Sequence, residues 1–139
     1  MDPETRIRLE LTAQFRTELR RFVRRTKVVT AQMGLTTERY DLLLMIKSAP
    51  DERSTVTELC ERLELRQTAV TELVKRAEEA GLVAREQSPR DARVSLLTLT
   101  PEGERRLMQA WEALRDDRRS LGNAFEELRR RFRAWTAGS

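Results

Sequence analysis

The chain has 139 residues, 39% of them hydrophobic and 36% charged, with a net charge of +4 and a pI near 10.0. That length suits one domain with its own core, and so high a charge density describes helices that carry narrow apolar stripes. The absence of histidine excludes Ser-His-Asp and Cys-His catalysis and His-ligated metal sites.

A single cysteine cannot form an intrachain disulfide, which agrees with a reducing compartment. No apolar run approaches the roughly 20 residues of a membrane span, and the opening MDPETR has no signal-peptide apolar region. A cytoplasmic location and no membrane contact are expected.

Taken in order, Asp2-Pro3-Glu4 is a helix start, with Asp as cap, Pro at the first position and Glu at the positive end of the dipole. Leu11, Phe15, Leu19, Phe22 and Val23 then mark a long first helix whose pattern continues loosely to Gly34. Arg20, Arg21, Arg24 and Arg25 in its C-terminal half read more simply as solvated arginines than as an anion site. Thr36-Thr37-Glu38 opens a second helix, which is apolar nearly all round through Leu42–Ile46 and should be buried. Pro50-Asp51-Glu52-Arg53 is a polar turn.

Thr55 with Glu58 three residues on is a capping box, in which each side chain satisfies a free backbone N–H of the other residue. Leu59, Cys60 and Leu63 give the helix that follows one apolar face. After the turn Glu64-Leu65-Arg66, Val70, Leu73, Val74 and Ala77 mark another helix, which stops at Gly81. Arg66 stands where a capping residue would be expected. Two short helices at a tight turn are the DNA-reading supersecondary unit, whose second helix fits a major groove. Leu82–Gln87 and Val94–Leu99 then form a hairpin around a polar tip, Ser88 to Arg93.

Thr100-Pro101-Glu102 repeats the cap, Pro, acid order and opens a long helix with Leu107, Met108, Trp111 and Leu114 on one face. Gly122-Asn123 is expected to interrupt it, and Asn123 with Glu126 to cap a last helix marked by Phe125, Leu128, Phe132 and Trp135.

Several stretches together resemble the MarR-type winged-helix transcriptional regulators. They are the Thr-x-x-Glu-Leu opening at Thr55, Thr68-Ala69-Val70-Thr71 with Leu73-Val74 and Arg76, Gly81-Leu82-Val83, Asp91-x-Arg93, and Leu99-Thr100-Pro101-Glu102-Gly103. The resemblance implies a mainly α fold with a small β-hairpin wing. Residues 36–100 would be the winged helix-turn-helix core, and residues 1–34 and 101–139 would be dimerisation helices. Large aromatics at the chain ends are hard to bury in one small winged helix, which also points to a twofold homodimer.

Two reading helices related by a dyad should enter successive major grooves of double-stranded DNA, about 34 to 36 Å apart, on a pseudo-palindromic operator. Gln67 can pair with adenine, Thr68 and Thr71 can reach base edges or phosphates, and the Ala69 methyl can meet a thymine methyl. Thr55, Lys75 and Arg76 suit phosphates, and Arg66 stands at the start of the reading helix. Glu72 departs from the family pattern and would either accept from cytosine or weaken binding. In the wing, with Arg90 beside it, Asp91 lies two residues from Arg93 on one side of a strand-like segment. It would aim that guanidinium at a narrow minor groove.

The resemblance further implies a small aromatic or phenolic ligand, held by Phe15, Leu19, Tyr40, Leu43, Met108 and Trp111, that releases DNA. No cofactor, metal or catalytic residue is expected. The function implied is a dimeric repressor; the alternative is a winged-helix protein-interaction module with weak or no DNA binding, which Glu72 and a near-neutral reading face favour. Cys60, between Leu59 and Leu63, is expected to be packed and poorly reactive.

Overall fold

The computed structural model describes residues 1–137, and the side chains of residues 1–134. Its helices are α1 (Pro3–Gln32), α2 (Thr37–Lys47), α3 (Val56–Leu63), α4 (Gln67–Glu79), α5 (Pro101–Ala113) and α6 (Arg115–Ala137). A short 3-10 turn spans Pro50–Glu52, and β1 (Val83–Gln87) pairs antiparallel with β2 (Ser95–Leu99). The chain divides into two compact units: Met1–Val29 with the residues from Ala113 onward, and Thr30–Glu112.

In the first unit α1 begins as its sequence implies. The Asp2 carboxylate accepts from the Thr5 backbone N–H at 2.9 Å, satisfying an amide with no intrahelical partner. α1 and α6 run antiparallel, with Phe15 stacked on Phe125 at 5.2 Å between ring centroids. Arg131 donates to Gln14 at 2.8 Å, and Arg25 meets Asp117 at 3.1 Å. Leu11, Val29, Leu114 and Leu128 are buried.

The expected interruption at Gly122-Asn123 is absent. α6 runs through both residues and the break falls at Leu114, whose carbonyl accepts from the Arg118 N–H at 2.9 Å. Glycine costs a helix interior only about 0.5–1 kcal/mol, which the flanking apolar pattern outweighs. Asp116 and Asp117 occupy the first turn of α6, where the dipole favours them. Trp135 lies in α6, but its side chain is outside the described residues.

The second unit is built around α2, whose Tyr40, Leu42, Leu43 and Ile46 are buried. Thr36 caps it by accepting from the Arg39 N–H. Leu59 of α3, Val70, Val74 and Ala77 of α4, Leu97 of β2 and Leu107 and Ala110 of α5 complete the core. Cys60 is only partly buried. The Arg62 guanidinium donates to the Met45 carbonyl and the Ser48 hydroxyl, which ties α3 to the carbonyl end of α2.

Gly81, with φ 74°, ends α4. Its N–H bonds the Glu78 carbonyl and the Leu82 N–H bonds that of Ala77, the paired bonds of a left-handed glycine stop. Ser54 exchanges two backbone hydrogen bonds with Leu97 and so adds a one-residue bridge along the other edge of β2.

Candidate nucleic-acid interface

The interface begins at the turn before α4. Glu64 takes a left-handed backbone, φ 54° and ψ 43°, which reverses the chain within three residues. Arg66 is the N-cap residue of α4 and makes no side-chain cap, because a guanidinium has no acceptor to offer the free N–H groups.

The buried Val70, Val74 and Ala77 fix the rotation of α4 and turn Gln67, Thr68, Thr71 and Lys75 to solvent. None of these four has a side-chain hydrogen bond or ion pair among the described residues. Ala69 and Arg76 lie on the flank. With Thr36, Arg39, Leu65 and Leu73 they line an open groove of about 440 Å³ beside α2. Arg76 is held by Glu72 at 3.0 Å, an i,i+4 pair.

Thr55 is already engaged. Its hydroxyl oxygen accepts from the Glu58 N–H at 3.1 Å and its O–H donates to the Glu58 carboxylate at 3.0 Å. The expected box is therefore only half made, because the Glu58 carboxylate takes the hydroxyl rather than the Thr55 backbone N–H.

In the hairpin, Val83 pairs with Leu99 and Gln87 with Ser95. The tip is a turn and not the strand-like segment expected. The Asp91 carboxylate accepts from the Arg93 backbone N–H at 3.0 Å and from Arg93 Nε at 3.2 Å. Arg93 nevertheless leaves 91% of its side chain exposed, so the carboxylate orients the cation without covering it. Arg90 is exposed and without an ion pair among the described residues. The neutralising pairs Arg85–Glu78 at 2.7 Å and Arg53–Glu86 at 3.1 Å tie β1 to α4 and to the segment before α3. Sequence spacing does not reveal them, because each joins two different elements.

Of the residues expected to hold a ligand, Tyr40 and Leu43 are core residues of the second unit. Met108 and Trp111 line a concavity of about 210 Å³ with Leu44, Lys47, Ser48 and Leu107. Phe15 is committed to its stack on Phe125, and Leu19 is half-buried in the first unit.

Residues 33–94 match the model of the MarR family. None of the curated proteins matches the sequence. Among solved structures the chain is similar to a mutant MarR from E. coli complexed with operator DNA, at 23% identity and a TM-score of 0.68, over 87% of this chain and 85% of that one. It is similar to AbsC, a MarR family transcriptional regulator from Streptomyces coelicolor, at 20% identity and a TM-score of 0.71, over 93% and 84%. The transcriptional regulator BldR from Sulfolobus solfataricus gives 25% identity and a TM-score of 0.65, over 84% and 81%. Residues 33–94 thus resemble the MarR family, and the chain has the fold of the MarR-family regulators.

Proposed function

We propose that this chain is a cytoplasmic, homodimeric, sequence-specific DNA-binding repressor of a pseudo-palindromic operator. The observation that carries the reading is the free outward face of α4. Gln67, Thr68, Thr71 and Lys75 stand in solvent with their hydrogen-bonding groups unspent, on a helix fixed by a buried stripe. A helix held this way presents base-reading groups on a backbone that is already ordered, so only the side chains remain to be fixed at the moment of binding. Arg66, Arg76 and Arg90 supply phosphate contacts, and Arg93 enters the minor groove. The chain is not an enzyme, since its family match and fold are those of regulators.

Residues 1–34 and 101–139 supply the dimer contacts in this reading. A small aromatic or phenolic ligand releases the DNA, with Met108 and Trp111 forming an apolar wall. The concavity of about 210 Å³ lies below the usual range for drug-sized ligands.

Mobility shift on the protein's own promoter region, with Arg93→Ala as the variant, tests the reading. The variant should fold and dimerise normally, bind operator more weakly, and show a salt slope shallower by about 1. Unchanged affinity and slope would remove the wing from the interface. A wild-type protein that binds no promoter DNA would favour the protein-interaction module, for which the acidic balance of the Thr30–Glu112 unit speaks.

A further inference from the structure

The cationic charge of this chain is not where its reading helix is. The unit that carries the winged helix holds 12 Arg or Lys against 15 Asp or Glu, a net −3. The unit of α1 and α6 holds 15 against 8, a net +7, and the two together make the +4 of the chain.

Within the basic unit, Arg16, Arg20 and Arg24 recur every four residues along α1, so they share one side of the helix. All three are exposed, and none has an ion pair or side-chain hydrogen bond among the described residues. The nearby acid Glu18 is taken by Arg21 at 3.4 Å. Like charges four residues apart repel and weaken a helix. The helix dipole does not repay that cost, because its effect is confined to the last turn and these residues sit in the middle of Pro3–Gln32.

We infer that the Arg16–Arg20–Arg24 row of α1 is a second nucleic-acid contact, which grips the DNA backbone without reading sequence. The inference rests on the proposed DNA-binding role. At about 1.5 Å of rise per residue the row is about 12 Å long, and duplex DNA presents one negative charge per roughly 1.7 Å of axis, so a span of that length holds phosphates enough for all three guanidinium groups. Arginine is the suited residue, since its fork matches phosphate oxygens two at a time. The row supplies the nonspecific attraction that a net-negative reading unit lacks. Base discrimination remains with α4.

The test uses the full chain with Arg16→Gln, Arg20→Gln and Arg24→Gln combined, since glutamine keeps helix propensity while removing charge. The first probe is a mixed-sequence duplex without an operator, titrated at several salt concentrations. The triple variant should keep its helix content and oligomeric state and should bind this duplex more weakly, with a salt slope shallower by about 3, at roughly 0.9 per phosphate.

Undiminished binding of the nonspecific duplex by the triple variant overturns the inference while leaving operator reading intact. Triple-dependent nonspecific binding with no operator preference in the wild type would keep the contact and remove the repressor reading. Anionic phospholipid vesicles and poly-glutamate are the further probes. Triple-sensitive binding to either, tighter than to the duplex, would assign the row to a membrane or an acidic protein and overturn the inference. Loss of the wild-type oligomer in the triple variant would assign the row to the subunit interface and overturn it equally.

Discussion

A Cβ on Gly103 would lie 2.0 Å from the Leu82 carbonyl oxygen. No side chain fits that gap without moving backbone. The contact exists because the Thr100 hydroxyl donates to the Gly81 carbonyl at 2.6 Å and accepts from the Gly103 N–H at 3.0 Å. These bonds stitch the first turn of α5 to the end of α4. Gly103→Ala should therefore destabilise by roughly 1–3 kcal/mol, the range for overpacking a tight site, and urea unfolding measures it directly; an unchanged midpoint would mean that the stitch is loose. The run Leu99-Thr100-Pro101-Glu102-Gly103 is legible in the sequence as a pattern. Its reason is not, because the glycine answers to a carbonyl on a distant stretch of chain.

Glu102 adds a pH-dependent term at the same turn. Hydrogen bonds from Arg105 and Arg106 hold its carboxyl down to about 2, from a usual value of 4.5. A carboxylate with a depressed folded pKa contributes stability above its unfolded pKa and loses it as pH falls through the folded value. The melting temperature of Glu102→Gln should lie below wild type at pH 7, and the gap should close between about pH 4.5 and 2. The group is solvent-exposed, so the gap is small; one that widened on acidification would reverse the sign and refute the assignment.

At the scale of elements, buried stripes decide the outcome over local breakers. Gly122-Asn123 reads as a stop, yet a Cβ at Gly122 meets nothing within 4 Å and α6 passes straight through. Gly122→Ala should accordingly stabilise the protein by about 0.5–1 kcal/mol, seen as a higher thermal midpoint; destabilisation would show that the glycine serves a close contact. The true break at Leu114 carries no glycine or proline. The sequence signal for it is the acidic pair Asp116-Asp117, which marks a new helix start.

Where period and cap agree, sequence suffices: α4 follows from Val70, Val74 and Ala77 together with Gly81, and the outward face of Gln67, Thr68, Thr71 and Lys75 follows from α4. The wing tip is less legible. Asp91 and Arg93 do pair, but through a turn in which the carboxylate also takes the Arg93 N–H, an alternative that short polar side chains offer the backbone.

For the whole molecule, the question is what α1 does with the apolar side chains it leaves in solvent. Ile7, Phe15 and Val28 are 43%, 41% and 44% exposed. At about 25 cal/mol per Å² of buried apolar area, covering such side chains is a strong drive to associate, and the twofold dimer of the proposed repressor supplies the cover. The same dimer sets DNA affinity, because the second half-site binds at high effective concentration once the first is held. Deleting residues 123–139 removes Phe125 from its stack on Phe15 and takes away the buried Leu128. Light scattering should then find the truncated protein monomeric or aggregated. Where it stays monomeric, operator affinity should fall by roughly 100-fold or more, the scale of a lost bivalent gain, while the helix content of residues 30–112 persists. A soluble, dimeric truncation with full operator affinity would show that the end of α6 contributes neither to the interface nor to the spacing of the two reading helices.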